Sequence, residues 1–355
     1  MNLEHLRSKI DLIDASLIRL IAERVKIADA IGQQKKGQNR QIEDKARETI
    51  VLEHIRALAQ KKHLPEEDIQ RIFRQIIHTC KRAQGAEVSF QGESGAYSED
   101  AAVLFFGSAI QLRPCENLDS VFQTVQEELV SYGIVPVENS LEGSISRTYD
   151  LLLASDVKVC GEIELRVSHC LIAHPEAKLD QITTVYSHPQ ALGQCQHYLK
   201  HLKCELVPTY DTAGSVKMLK AKGIINGAAI AGQRAAEIYG MQVLAREIED
   251  SNQNFTRFFI LSKQDTPPTG ADKTSIVFAA KHSPGALHKA LAAFSAESVN
   301  LTRIESRPTR QKPWEYNFYL DFEGHRSDTA VAATLKKLKR AALFVKILGS
   351  YPRAR

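Results

Sequence analysis

Residues 17–35 read LIRLIAERVKIADAIGQQK, in which Leu17, Leu20, Ile27 and Ile31 recur at alternating steps of three and four. Upstream, Leu3, Leu6, Ile10 and Ile13 extend the same stripe without a break. That period predicts one long helix with a single apolar face. One seam position, however, carries Arg24. A guanidinium buried without a partner costs on the order of 3–5 kcal/mol, so Arg24 calls for an anion, either a neighbouring carboxylate or a ligand.

Outward from this stretch, residues 1–84 read as helix throughout. Phe73 is their only Phe, Tyr or Trp, and Pro65, their only proline, stands before acidic residues as at a helix start. Helices are predicted over 3–35, 42–61 and 65–83. The second carries Val51, Leu52, Ile55 and Leu58 on one face, and the third Ile69, Ile72, Phe73, Ile76, Ile77 and Cys80. At about 1.5 Å per residue the first is about 45–50 Å long. Two shorter helices do not cover that length, so a second chain is expected to complete the bundle.

Polar residues gather at one end of this bundle. Lys35 lies three turns beyond Arg24 on nearly the same face, the second helix opens with Asp44, Arg47 and Glu48, and the third runs out at Gln84. A partly exposed bundle end with mutual ion pairs fits this pattern, and so does a pocket for a small dianion. Arg7 stands 17 residues before Arg24, about 25 Å along the axis, so it can serve such a pocket only from a second, antiparallel chain. The runs LRSKIDLID, AER, GQQK and DKARE, with Gln84, resemble the all-helical chorismate mutase domain, an intertwined homodimer, over most of residues 3–84. The resemblance implies that Arg7 of the partner subunit, Arg24 and Arg47 hold the two carboxylates of chorismate, with Asp44 and Cys80 at the same substrate site. It gives Lys35 and Gln84 to the ether oxygen and Glu48 to the ring hydroxyl. Such a rearrangement needs no nucleophile and no proton transfer, only a compact conformer and charge stabilisation on the oxygen whose bond breaks. Cys80 departs from the best-known members, which carry serine.

After Gln84-Gly85 the texture changes. Short apolar strands (VSF, YGIVPVENS, TTVYS, AAIAG, FTRFFIL) alternate with helical stretches such as 190–202 and 213–222, an α/β pattern. Polar runs close the strands. QGESGAYS follows the first; VPVENSLEGSI leaves Glu138, Asn139 and Ser140 at another; YSHPQALGQC sets Ser187 and His188 before a proline-started helix; NFTRFFIL opens the last with Thr256 and Arg257. Singly, ENS is a turn, His188 a helix cap and Thr256 a favoured strand residue. Together, polar strand ends in an α/β fold make a ligand cleft. GxxGxYS, VPxENSxxGxI, HCL at 169–171, YSHPQ and NFTRF resemble the prephenate dehydratase family over roughly 87–263, which implies two α/β lobes with the site between them. On that resemblance the Thr256 hydroxyl assists departure of the ring C4 hydroxyl. Glu138, Asn139, Ser187, His188 and Gln194 orient prephenate, and Arg257 lies near a carboxylate. Water and carbon dioxide leave together as the ring becomes aromatic, which requires no metal or organic cofactor.

QDTPPTGADK, from residue 264, reads as a linker. Beyond it TSIVFAA, a helix from Gly285, LTRIESR, EYNFYLDFEG, a helix over 327–342 and FVKILGSYP give the order β-α-β-β-α-β, a ferredoxin-like sandwich. SPGALHKAL and NLTRIESRP resemble the ACT domain, an amino-acid-binding module. This implies a phenylalanine site of Gly285, Ala286, Leu287, Asn300, Glu305, Ser306 and Arg307 lying between two chains.

The expected layout is therefore multi-domain: an all-α bundle over 1–84, a two-lobed α/β domain over 86–265 and an α+β ferredoxin-like domain over 272–353. The expected function is conversion of chorismate to prephenate and of prephenate to phenylpyruvate, restrained by phenylalanine, in a homodimer or higher homo-oligomer. The alternatives are a dehydratase whose helical segment only dimerises, and a non-catalytic amino-acid sensor. A net charge of +4 without a concentrated basic face gives no sign of nucleic acid. No GxGxxG or P-loop supports a nucleotide. MNLEHLRSKI lacks a signal-peptide core and no apolar run is long enough for a membrane span, so a cytoplasmic protein with reduced cysteines is expected. Cys195, His197, His201 and Cys204 sit in an ordinary amphipathic spacing, and no metal is expected there.

Overall fold

The computed structural model describes residues 3–37, 45–83, 87–107, 110–309 and 315–354, with side chains described outside 3, 32–49, 78 and 81–83. The chain divides into two compact units, Met1–Glu87 with Phe106–Gln111, and Val88–Phe105 with Leu112–Arg355.

The first unit is built on α1 (Leu3–Gly37), α2 (Lys45–Lys61) and α3 (Glu66–Ala83). Both α1 and α2 pack against α3. Among the described side chains of these three helices the apolar ones that are buried are Ala28, Ala59 and Cys80, whereas Leu6, Ile10, Ile13, Leu17, Leu20, Ile27 and Ile31 remain 43–58% exposed. The long seam predicted from the sequence thus runs along α1 uncovered. Three small buried side chains are far too little apolar area to offset the ordering of so many residues.

The second unit opens with a lobe of β1 (Glu87–Gln91), α4 (Tyr97–Phe106), β2 (Gln111–Cys115), α5 (Leu118–Gln126), β3 (Tyr132–Asn139), β4 (Gly143–Ser144), α6 (Ser146–Ala154) and β5 (Lys158–Arg166). A second lobe follows with β6 (Cys170–Ala173), β7 (Thr184–Ser187), α7 (Pro189–Gly193), α8 (Gln196–Leu199), β8 (Glu205–Pro208), α9 (Thr212–Lys222), β9 (Gly227–Ala231), α10 (Gln233–Tyr239) and β10 (Gln242–Ala245). The chain then returns as β11 (Phe255–Ser262) into the middle of the first sheet, order β2-β1-β3-β11-β5 with β4 beside β3; the second sheet runs β10-β6-β9-β7-β8. The single helix expected over 190–202 is broken. Asp250, across the lobe, accepts the backbone N–H groups of Gln196 and His197 at 3.1 and 2.9 Å, so a new helix starts there and Gln194 becomes the cap of α7.

A third sheet, order β13-β14-β12-β15, comprises β12 (Asp272–Ala279), β13 (Leu301–Pro308), β14 (Tyr316–Glu323) and β15 (Phe344–Pro352), with α11 (Ala286–Ser295) and α12 (Thr329–Ala341) between them in the predicted βαββαβ order. Its alternation faces two ways. Ile276, Phe278, Leu320 and Phe322 bury with Ala290, Phe294 and Leu335, while Val277, Tyr319, Leu348 and Tyr351 join Val121, Phe122, Tyr149, Leu152, Phe259 and Leu261 in one core with the first lobe. The two parts read from the sequence as separate domains thus share an interior.

β15 lies against β5, and at Gly349 an added Cβ would stand 2.0 Å from the Val159 carbonyl oxygen. Gly349→Ala is therefore expected to lower the unfolding free energy by about 1–3 kcal/mol through overpacking. Gly193→Ala, in α7 and with nothing within 4 Å of the new atom, is expected to keep it or raise it by up to about 1 kcal/mol; denaturant titration of both proteins checks the contrast.

Candidate functional site

β11 sits between β3 and β5, and its register sets Thr256 opposite Asn139. Thr256 is 8% exposed. Asn139 ends β3 in a turn, its Oδ1 accepting the backbone N–H groups of Leu141 and Glu142 at 3.0 and 3.1 Å. That leaves Nδ2 to donate to Thr256 Oγ1 at 3.0 Å and to Asn254 Oδ1 at 2.7 Å. Because Asn139 Nδ2 is a donor and takes only a lone pair of Oγ1, the threonine hydroxyl keeps its own hydrogen for another acceptor. Asn254 Nδ2 donates to Gln194 Oε1 at 2.9 Å, which also lies 2.9 Å from His169 Nε2. The break after α7 is what brings Gln194 into this chain of amides.

The other motif residues of the second lobe do not join it. Ser187 is fully buried and donates to the Ile230 carbonyl at 2.6 Å. His188 caps α7, its Nδ1 accepting the Gln190 N–H at 3.3 Å. A cavity of about 400 Å³ lined by Thr209, Tyr210, Lys217 and Met218 shares no residue with the Thr256 cluster.

Glu138 and Arg257, expected at the substrate, point the other way. Successive residues of a strand face opposite sides of the sheet, so the pair Arg257↔Glu138 next to Thr256↔Asn139 turns toward the ferredoxin-like domain. Arg257 is 7% exposed; its Nε donates to Glu138 at 2.9 Å, Nη1 to Glu162 at 3.1 Å and Nη2 to Asp321 on β14 at 3.0 Å. Lys273 also meets Glu162, at 2.6 Å, and Arg303 meets Glu138, at 2.6 Å. The neighbouring carboxylates Asp321 and Glu138 raise the Arg257 pKa further, against the desolvation that would lower it.

The expected effector residues divide likewise. Glu305 bonds Arg303 and the Ser144 hydroxyl, and Arg307 donates to Ser146 at 2.7 Å and Asp150 at 3.1 Å, so both lie on the first lobe. Gly285, at φ +75°, Asn300 and Ser306 stay exposed, with Ala286 and Leu287 half-buried at the start of α11.

In the helical unit Arg24 reaches from α1 to Cys80 of α3, Nη1 to Sγ 2.8 Å, while Arg7 is exposed. Arg24 is thus half-buried against a thiol. The side chains of Lys35, Arg47 and Glu48, and residues Asp44 and Gln84, lie outside the described residues.

The family model of chorismate mutase type II matches residues 6–85, that of prephenate dehydratase residues 88–266 and that of the ACT domain residues 274–340. The chain is 40% identical to a bifunctional chorismate mutase/prephenate dehydratase of Stutzerimonas stutzeri, over 99% of this chain and 98% of that protein. The chain belongs to the bifunctional chorismate mutase/prephenate dehydratase family. An Aquifex aeolicus member is 39% identical over 99% and 98% of the two chains. The crystal structure of prephenate dehydratase from Arthrobacter aurescens in complex with L-Phe superposes with a TM-score of 0.70 at 32% identity, covering 75% of this chain and 90% of that one. One chain therefore carries a mutase, an isomerase, and a dehydratase, a lyase.

Three members of the Thr256 cluster were not singled out from the sequence: Tyr97, His169 and Asn254. Each lies inside a motif that was, GxxGxYS, HCL and NFTRF. Tyr97 and His169 have only ring chemistry to show in a sequence, and their partners are 72 and 25 residues away.

Arg257→Leu leaves the buried carboxylates without their shared cation; Lys273 and Arg303 still hold Glu162 and Glu138, so Asp321 is the most exposed to the loss. The unfolding free energy is expected to fall by about 3–5 kcal/mol near neutral pH. The deficit should shrink as pH falls, because an orphaned buried carboxyl has a raised folded-state pKa and is least costly when protonated. Unfolding titrations at two pH values check the sign.

Proposed function

We propose that Thr256 is the centre of the dehydratase and that its free hydroxyl hydrogen is given as a hydrogen bond to the departing C4 hydroxyl of prephenate. The carrying observation is the Asn139 Nδ2 contact, which occupies one lone pair of Thr256 Oγ1 and, being a donor, leaves the hydroxyl hydrogen for another acceptor. A neutral threonine is a weak acid, so its contribution is a strengthened hydrogen bond to the leaving oxygen as the ring becomes aromatic. Gln194 supplies a second donor for a substrate oxygen. The helical segment, residues 1–84, is the mutase domain. Arg24, Arg47 and Arg7 of the partner subunit hold chorismate, Lys35 and Gln84 donate to the ether oxygen, Glu48 meets the ring hydroxyl, and Asp44 and Cys80 line the site. Cys80 beside Arg24 supports that placement.

The uncovered stripe of α1 supports a homodimer in which a second copy of α1 completes the bundle. Phenylalanine is the effector, bound at Gly285–Leu287, Asn300 and Ser306 between ferredoxin-like domains, and acts by favouring a less active conformation. Residues 86–265 and 272–353 are the dehydratase and effector domains, and the enzyme works in the cytoplasm. Among the described residues no helix is long and apolar enough to cross a membrane.

Purified Thr256→Ala fed with chorismate should consume it at the wild-type rate and accumulate prephenate, with phenylpyruvate formation reduced about 10²–10³-fold; wild-type protein should form phenylpyruvate more slowly when phenylalanine is added. Dehydratase turnover within a few fold of wild type would displace the centre from Thr256. Leu17→Glu, on the α1 stripe, should shift the protein toward monomer in sedimentation velocity and remove mutase turnover with it.

A further inference from the structure

The amide orientations in the Thr256 cluster follow one from another. Two backbone N–H groups fix Asn139 Oδ1, so Nδ2 is the atom that meets Asn254 Oδ1. Asn254 must then turn Nδ2 to Gln194 Oε1. That oxygen is an acceptor, so His169 Nε2, 2.9 Å away, must carry a hydrogen. A flipped Gln194 would set its own NH₂ against the Asn254 donor, and against His169 Nε2 whenever that nitrogen carries the ring hydrogen. Its Nε2 is left buried and without an acceptor among the described residues, in a side chain whose residue is 9% exposed. A buried donor left unmatched is costly, and an oxygen-rich substrate supplies what it lacks.

We propose that His169 and Tyr97 are positioning residues of the dehydratase: they hold the Gln194 amide in the orientation that presents its free Nε2–H to a substrate oxygen. The inference rests on the dehydratase site being at Thr256.

Tyr97 fixes the histidine. Its hydroxyl stands 2.8 Å from His169 Nδ1 and 2.8 Å from the Ser168 carbonyl. When His169 is neutral the hydroxyl donates to Nδ1, which keeps the single ring hydrogen on Nε2. When His169 is protonated, Nδ1–H donates to the phenol oxygen and the hydroxyl turns to Ser168. Either way Nε2–H stays on Gln194. Burial lowers the His169 pKa, so the neutral form prevails near pH 7. The charged and titratable groups around the pair are Glu249, which accepts the His169 backbone N–H and pairs with Arg166; Cys170 and Cys195, whose thiols burial pushes up; and Asp100, raised to about 7 chiefly by burial and paired with Arg234.

Without the phenol, neutral His169 is free to move its hydrogen to Nδ1, which sets the Nε2 lone pair against Gln194 Oε1. Tyr97→Phe should therefore lose about tenfold in dehydratase kcat/KM at mildly alkaline pH, and regain it as the pH falls through the histidine titration, because protonation restores Nε2–H. The wild type should show no such recovery. Adding His169→Gln should abolish the recovery, which separates it from Asp100, and in a Gln194→Ala background Tyr97→Phe should cost nothing further. A wild-type pH profile for Tyr97→Phe, or a loss fully additive with Gln194→Ala, overturns the proposal. Mutase turnover and the melting temperature of each preparation report folding. Should Tyr97→Phe not fold, His169→Gln, which keeps an N–H donor, must outperform His169→Leu, and equal rates would again overturn it. An active Thr256→Ala enzyme would instead remove the site assignment on which the proposal stands.

Discussion

One guanidinium ties the second unit together. Arg257 is buried between Glu138 and Glu162 of the first lobe and Asp321 of the ferredoxin-like domain, and it also lies over the Phe259 ring at 5.1 Å. Taking these charges out of water is unfavourable, and their mutual attraction offsets that only while every partner stays in place. Such a cluster tolerates little rearrangement. Asp321 is further held by the Ser275 hydroxyl at 2.6 Å, and Ser275 by Tyr351, so three strands of the ferredoxin-like sheet converge on it.

The position of this cluster matters as much as its strength. Thr256 and Arg257 are consecutive, and Asn139 and Glu138 are their consecutive cross-strand partners. The sheet therefore carries the Thr256–Asn139 pair on one face and the ion cluster on the other, with no intervening layer. A shift of β14, or of Arg303 on β13, acts on the same two backbone segments that aim the threonine hydroxyl. An effector bound to the ferredoxin-like domain needs only a modest difference in affinity between two placements of these strands to alter turnover.

Periodicity made the bundle legible, because residues 3–31 repeat at helical steps broken only by Arg24, and the exposed stripe of α1 is what such a repeat becomes when a single chain is folded. The βαββαβ order was legible for the same reason, from strands that alternate cleanly. Two things were not. KVCGEIELR, which forms β5, mixes charge into its alternation, so nothing marked it as the edge on which β15 docks. The sense in which Glu138 and Arg257 point was also hidden. A motif names residues that occur together, whereas the strand pleat separates neighbours onto opposite faces. The break at Gln194 depends on Asp250, 54 residues from the N–H group of Gln196 that it accepts, and no local pattern announces it.

The interior common to Tyr149, Phe259, Val277 and Tyr351 has a consequence for how this polypeptide can be taken apart. Deleting the chain beyond residue 264 would not liberate a trimmed catalyst. It would strip aromatic rings of their cover, bare the hydrogen-bonding rim of β5 and strand Arg257 without Asp321, leaving a fragment prone to self-association. Catalytic lobes and sensing module are thus inherited as a single indivisible block.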